Sequence, residues 1–172
     1  MIARQREDRA SRGRDAEPPR EHHRNEERHT ARDDRDAIGY HYDVGNAFYR
    51  LWLDPSMTYS SALFTDPAMS LQQAQQAKYQ RICDELHVTP GARLLEIGCG
   101  WGGFAELATR SGVQLTGLTL STEQLDFAQQ RLQAAGLADR AELRLQDYRD
   151  VRGEFDGIAS IEMFEAVGEQ YW

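Results

Sequence analysis

This sequence has no excess of basic charge. Its 172 residues include 20 basic and 28 acidic side chains, for a formal net charge of −8. Residues 1–36 hold 10 of each sign, so the acidic excess belongs entirely to residues 37–172. An acidic body argues against a nucleic-acid partner, because neutralising phosphates needs a basic surface. It also argues against electrostatic attachment to anionic lipid, so any membrane contact would have to be apolar.

Long apolar runs and cysteines are also scarce. No run approaches the ~20 apolar residues that span a bilayer. The two cysteines, Cys83 and Cys99, lie in a helical pattern and in a glycine-rich turn, which argues against a disulfide. The N-terminus is charged rather than apolar, unlike a signal peptide. We therefore expect a cytoplasmic protein and leave open a peripheral contact at the inner membrane face.

The first 36 residues have too little apolar surface to offset the entropy of an ordered chain. We predict a disordered, charged tail over residues 1–36. Its histidines, His22, His23 and His29, are a weak metal-site pattern, and a solvated polar tail explains them better. We predict no metal site.

Residues 37–89 are predicted to form a helical lid segment. Four of the seven tyrosines, Tyr40, Tyr42, Tyr49 and Tyr59, fall between positions 38 and 60. These aromatics either pack on the core or close over an apolar substrate or a cation, and both interpretations stay open. Ser70 followed by Gln73 is a capping box, which predicts a helix that runs to about residue 86.

Residues 90–172 alternate strand and helix patterns with short connections. We predict strands at 93–97, 113–119, 141–145 and 155–161, and a helix that Ser121 and Gln124 cap. This alternation predicts an α/β fold with a Rossmann-like, doubly wound parallel sheet. Functional loops then lie at the carboxyl ends of the strands.

The turn after the first strand carries the candidate cofactor site. Gly98-x-Gly100-x-x-Gly103 matches the dinucleotide fingerprint, but positions 117–121 lack the acid that would hold a ribose. Glu96, just before the glycines, fits S-adenosylmethionine better, because a carboxylate favours its cationic end. Asp147 could accept from an adenine amino group, with Tyr148 beside it. The alternative is that Glu96 and Asp147 are simply polar strand ends.

These residues belong to a wider pattern, and the chain from about position 38 to 172 closely resembles the cyclopropane-fatty-acyl-phospholipid synthase family, which includes the mycolic acid cyclopropane synthases. Members have the class I methyltransferase fold. The matching segments are His41-Tyr42-Asp43 with Phe48-Tyr49 and Trp52-Leu53-Asp54, Met57-Thr58-Tyr59-Ser60, Glu96 through Gly103, Thr119-Leu120-Ser121 with Gln124, Leu145 through Asp150, and Ser160 through Glu165.

The resemblance implies methylene or methyl transfer from S-adenosylmethionine to the cis double bond of an unsaturated lipid acyl chain. The acyl chain would be carried by a phospholipid or a carrier protein. A bound bicarbonate, held partly by Glu165, would act as the base, which makes Glu165 the candidate catalytic residue. Cofactor contacts are implied for Tyr59, Ser60, Gly98, Cys99, Gly100, Trp101, Gly102, Gly103, Thr119, Leu120, Ser121, Gln124, Gln146, Asp147 and Tyr148.

The chain also departs from the family. Ser61 stands where many relatives have cysteine, Glu162 where well-known members have glycine, and Ala166 where they have histidine. Both a cyclopropane and a methyl-branched product therefore stay open. The chain ends just after the fourth predicted strand, so we expect a C-terminally truncated core over 90–172. Two alternative functions remain, a small-molecule methyltransferase and a non-catalytic remnant that binds cofactor only.

Overall fold

The computed structural model describes residues 45–163. The predicted tail, Tyr40, Tyr42 and Glu165 lie outside these residues. The described elements are, in chain order, α1 (Asn46–Tyr49), α2 (Leu71–Glu85), β1 (Arg93–Ile97), α3 (Gly103–Arg110), β2 (Gln114–Thr119), α4 (Thr122–Ala134), a 3-10 turn (Ala138–Arg140), β3 (Ala141–Leu145), a second 3-10 turn (Tyr148–Asp150) and β4 (Gly157–Ser160).

The strands form one parallel sheet in the order β3-β2-β1-β4. This confirms the predicted α/β class, because parallel strands need crossover connections, and α3 and α4 supply them between β1 and β2 and between β2 and β3. The fourth strand is shorter than the predicted 155–161. Just before it, Asp156 exchanges hydrogen bonds with Arg93: its N–H donates to the Arg93 carbonyl (2.8 Å), and its carboxylate accepts from the Arg93 N–H (2.7 Å).

One apolar core lies between the sheet and its helices. Leu94 and Leu115 of the central strands are 2 % exposed, and Phe104 of α3 is 1 % exposed. Helices α2 and α4 contribute Tyr79, Cys83, Ala128 and Leu132, all buried. Burial of this apolar surface is the main favourable contribution to the fold.

The segment before α2 has little regular secondary structure. Between residues 45 and 70 the structure has one short helix, α1, followed by turns and bends. Arg131 of α4 fastens this segment, donating to the Ser56 carbonyl (2.7 Å) while its Nε pairs with Glu106 (2.5 Å). Tertiary contacts rather than helical structure therefore hold it. Of the helices within 45–163, none is long and apolar enough to cross a membrane.

The capping box predicted for α2 is confirmed in both directions. The Gln73 N–H donates to the Ser70 hydroxyl (3.3 Å), and the Ser70 N–H donates to the Gln73 side chain (2.8 Å). At α4 only half of this arrangement forms. The Gln124 N–H donates to the Ser121 hydroxyl (3.2 Å), but the Gln124 side chain accepts instead from the Thr119 hydroxyl (2.9 Å).

Ser70→Ala should lower the free energy of unfolding by about 1 kcal/mol, the usual effect of removing an N-cap side chain. Urea unfolding followed by circular dichroism measures this difference. Gln72→Ala, at an exposed position in the first turn of the same helix, is the matched control. Equal stability of the two variants would show that the box contributes nothing.

Candidate functional site

The turn between β1 and α3 is built from glycines in the left-handed region. Gly98, Gly100 and Gly102 have φ values of 79°, 52° and 77°. The N–H groups of Gly98 and Cys99 donate to the Leu118 carbonyl (3.0 and 2.7 Å), which joins the turn to β2. Positive φ strains any residue with a Cβ, so this path through the turn favours glycine.

The glycines of this turn serve different purposes. A Cβ on Gly102 would lie 2.9 Å from the Ala128 Cβ, and one on Gly103 would lie 2.9 Å from the Tyr79 hydroxyl. These two therefore let helices pack closely. A Cβ on Gly100 would meet no neighbouring atom within 4 Å in the part of the chain that the structure describes. Open space beside bare backbone is what close approach of a ligand requires.

Glu96 is the most unusual group at the site. It ends β1's buried run, is 3 % exposed, and its Oε2 has no hydrogen-bond partner among residues 45–163. Burial raises the pKa of Glu96 to about 8, and the opposing effect of Arg131 is smaller. A buried carboxyl without a partner is unfavourable, and an arriving ammonium would supply the missing donor and counter-charge. This orphaned oxygen fits the cationic end of S-adenosylmethionine.

Two predicted contact residues in the turn are buried instead in packing. Cys99 is 4 % exposed, and burial raises the pKa of its thiol well above the usual range, so it is not a reactive thiolate. Trp101 is also 4 % exposed, and its indole N–H donates to Asn46 Oδ1 (2.5 Å). Only the backbone of these residues stays suited to a ligand contact.

Of the aromatic residues that precede α2, some are buried and others are exposed. Tyr49 is buried, with its ring centroid 4.8 Å from that of Trp101. Trp52 and Tyr59 stand edge to face at 5.2 Å and remain 49 % and 45 % exposed. Tyr49 thus packs against Trp101 of the glycine turn, whereas Trp52 and Tyr59 stay about half exposed.

Ser60 directly follows Tyr59 and is held from helix α2. The Lys78 ammonium donates to the Ser60 hydroxyl, and the buried Gln75 amide donates to the Ser60 carbonyl (2.7 Å). Reasoning from the sequence missed both of these partners. One signal could have found the first: Lys78 is the only lysine among the 20 basic residues of the chain.

The loop after β2 brings its predicted residues together. Thr119, Ser121 and Gln124 are all buried, and the Thr119 hydroxyl accepts from the Ser121 N–H (3.2 Å). Leu120 is half-buried between them. These side chains largely satisfy one another, so their first role is to fix the backbone of this loop.

In the corner after β3, the Asp147 carboxylate has a partner within the chain that the sequence did not predict. The Gln146 N–H donates to the Thr119 carbonyl (3.1 Å), which places the corner beside the β2 loop. Asp147 is 3 % exposed, and its carboxylate accepts from Arg149 Nε (2.9 Å) and Nη2 (2.6 Å) as well as from the Arg149 N–H. Arg149 also lies 5.9 Å from the Tyr148 ring centroid. Arg149 therefore fixes the carboxylate expected to meet adenine.

Most of the chain is similar to proteins of known family. A family model described as mycolic acid cyclopropane synthetase matches residues 29–172. A probable fatty acid methyltransferase from Pseudomonas putida is 50 % identical over 143 residues, which is 81 % of this chain and 36 % of that protein. The cyclopropane-fatty-acyl-phospholipid synthase of Escherichia coli K12 is 46 % identical over 129 residues, 74 % of this chain and 32 % of that protein.

A solved structure shows the same likeness. The mycolic acid cyclopropane synthase CmaA1, complexed with SAH and CTAB, superposes with a TM-score of 0.74 at 35 % identity. The match covers 79 % of this chain and 48 % of that one. With 36 % and 32 % of the two curated relatives covered, the chain spans about a third of their length.

Proposed function

The chain belongs to the mycolic acid cyclopropane synthetase family, and from this premise we propose that it binds S-adenosylmethionine and serves methyl or methylene transfer to the double bond of an unsaturated lipid acyl chain. The observation that carries the proposal is the buried Glu96 carboxyl, whose Oε2 has no partner within residues 45–163, directly before a turn with open space at Gly100. The relatives' names support the reaction class, and the CmaA1 complex with SAH supports the cofactor.

The proposed cofactor contacts lie along the carboxyl edge of the sheet. Glu96 as a carboxylate would hold the ammonium, and the Gly98–Gly103 backbone would lie against the nucleoside. Thr119, Leu120, Ser121 and Gln124 shape the loop on one side, and Gln146, Asp147 and Tyr148 shape the corner beyond it. Tyr59 and Ser60 would close the site from the aromatic segment. Ligands of open α/β sheets bind at this edge.

The bound cofactor would supply an electrophilic methyl group. An alkene is a weak nucleophile, so the chain's task is to orient it in a dry pocket. The exposed faces of Trp52 and Tyr59 suit an acyl chain, and they would stabilise a cation that develops on it. These apolar faces favour a lipid acceptor over a small polar one. Phe48 and Leu51, 45 % and 81 % exposed, extend the apolar surface and would serve a peripheral membrane contact.

Titration calorimetry of the protein with S-adenosylmethionine tests the cofactor assignment. We expect saturable binding of S-adenosylmethionine and S-adenosylhomocysteine and none of NAD, because positions 117–121 lack the ribose-binding acid. A folded protein that binds NAD and not S-adenosylmethionine would overturn the proposal.

Glu165 lies outside the described residues. We propose that it positions a bicarbonate that acts as the base. In a longer protein that contains this chain and transfers label from the cofactor to vesicles of unsaturated phospholipid, Glu165→Gln should lower label transfer about a hundredfold, a typical acid–base contribution. Cofactor affinity should stay unchanged, because the lost interaction acts only in the transition state. Glu154→Gln, at an exposed position, is the control. Parallel loss of affinity and transfer would instead make Glu165 a structural residue.

A further inference from the structure

The chain contains a single lysine in an otherwise arginine-based set of cations. Of 20 basic residues, only Lys78 carries an ammonium. The two cations are not equivalent, since the ammonium is a compact point charge and the guanidinium a planar fork. Lys78 is half-buried, and burial is unfavourable for an ammonium because it disfavours the charged form. The position of Lys78 therefore calls for an explanation.

The contacts of Lys78 converge on the segment after Tyr59. Its ammonium donates to the Ser60 hydroxyl and to the Ser61 carbonyl (2.7 Å). Gln75, one turn earlier on α2, donates to the Ser60 carbonyl (2.7 Å). Two side chains from one face of a helix thus hold two consecutive peptide units. Three hydrogen bonds from α2 therefore restrain this segment.

The same segment is held from the opposite side by the end of the sheet. The N–H and the hydroxyl of Ser61 both donate to one oxygen of Glu162, at 2.7 Å for the N–H. Glu162 follows β4 with φ of 51°, a strained value for a residue with a Cβ. The sulfur of the next residue, Met163, would lie 3.7 Å from a Cβ built on Gly98. The end of the sheet that holds Ser61 therefore lies close to the glycine turn.

The electrostatic surroundings of Lys78 are mixed. Burial lowers the pKa of Lys78 to about 8, while the nearby carboxylates of Glu162 and Asp54 act in the opposite direction. The Tyr79 ring lies beside the ammonium, with its centroid 4.9 Å from Nζ. At pH 7 most of the population is still charged. At about pH 8, which an ordinary binding assay can reach, half of the population has lost the charge.

We infer that Lys78 is a positioning residue that holds Ser60 and Ser61 in the conformation needed for cofactor binding. The inference rests on the proposed function, since it assigns Tyr59 and Ser60 to the cofactor. A charged ammonium makes stronger hydrogen bonds to the hydroxyl and the carbonyl than a neutral amine does. Loss of the charge should loosen the segment, while the core contacts of Tyr79, Ile82 and Cys83 keep α2 in place.

The first experiment compares Lys78→Met and Arg81→Met by titration with S-adenosylhomocysteine. Methionine keeps the aliphatic stem of lysine and removes only its charge and donors. We expect about tenfold weaker binding, the effect of losing hydrogen bonds to a charged group. Arg81 lies on the same helix with an exposed side chain paired to Glu85, so Arg81→Met should bind as the wild type does. Lys78→Arg should restore the affinity only in part, because the fork does not reproduce the point contact.

The second measurement is the pH dependence of cofactor affinity, which would not change with Lys78→Met if Lys78 had only a structural role. Above about pH 8 the affinity of the wild type should decline more steeply than that of Lys78→Met, because the Lys78 ammonium loses its proton there. The decline that both proteins share comes from the amino group of the ligand itself. Because the chain has one lysine, ¹⁵N-lysine labelling gives a single Nζ resonance that reports the same titration directly. Cofactor binding should raise its midpoint by fixing the charged form.

The outcomes separate the inference from the proposed function. If the wild type does not bind S-adenosylhomocysteine, the proposed function fails first. If the wild type binds and Lys78→Met binds equally well with the same pH profile, the inference alone is wrong. If Lys78→Met does not fold, the Nζ resonance of the wild type decides: a resonance that cofactor leaves unchanged overturns the inference, and a shifted midpoint supports it.

Discussion

Glu96→Gln should weaken the binding of S-adenosylmethionine about a hundredfold at pH 8, the order expected when one partner of a buried charge pair is removed. The glutamine keeps the size of the side chain and its oxygen, but it cannot carry the charge that balances the ammonium. Since Glu96 Oε2 has no partner within residues 45–163, the substitution breaks no hydrogen bond of that atom there. Titration calorimetry measures the difference.

The pH dependence of binding should identify Glu96 as the source of this loss. Because the pKa of Glu96 is raised to about 8 in the cofactor-free protein, binding below that pH must first displace a proton. Wild-type affinity should therefore rise up to about tenfold per unit between about pH 6 and 8, and Glu96→Gln should show no rise. Besides Arg131, the titratable groups that interact with Glu96 among residues 45–163 are Tyr79, Cys83 and Cys99, whose raised pKa values leave them neutral over this range.

The stability of the cofactor-free protein should change with pH in the opposite sense. A carboxyl whose folded pKa is raised binds its proton more tightly in the folded state than in the unfolded one. Its contribution is fully present below about pH 4.5 and is lost as the pH rises through about 8. The wild-type melting temperature should fall over this window more steeply than that of Glu96→Gln, with Glu154→Gln as an exposed control. Identical slopes for all three proteins would contradict the buried-carboxyl assignment.

The glycines of the turn should separate ligand binding from folding. Gly100→Val should abolish cofactor binding, because the side chain fills the open space proposed for the ligand. Its φ of 52° is unfavourable for valine, so the variant should lose on the order of 1–2 kcal/mol of stability while remaining folded.

Gly102→Ala should instead reduce stability strongly, by about 2–3 kcal/mol, although alanine is the smaller substitution. Its Cβ would lie 2.9 Å from the Ala128 Cβ and 3.3 Å from the Ala128 Cα, so α4 must shift. The φ of 77° adds strain. Thermal melts compared with calorimetry check both variants. Equal losses of stability, or wild-type binding by Gly100→Val, would show that the two glycines do not divide these roles.

Much of the fold could be predicted from the sequence because its signals are local. The apolar run of 93–97, the Ser70 capping box and the glycine turn each depend on residues within a few positions of one another. Such short-range patterns decide strand, helix and turn, and their alternation decides the parallel sheet. Their position at strand ends pointed to Glu96, the glycine turn and Asp147, and the family resemblance supplied the other candidate site residues. The structure places the loops after β1, β2 and β3 at one edge of the parallel sheet.

The partners of these residues were decided only by the tertiary structure. Gln124 bonds to Thr119 rather than completing its capping box, Trp101 donates to Asn46, and Lys78 holds Ser60. Trp101 and Asn46 are 55 positions apart in the chain, and no periodicity links them. A hydrogen bond depends on atoms meeting at about 3 Å, and for residues far apart in sequence only the packed fold brings them that close. The sequence by itself determined which elements form and where a cofactor site would lie, whereas packing decided which side chains remain available to bind and which are used to hold the site in place.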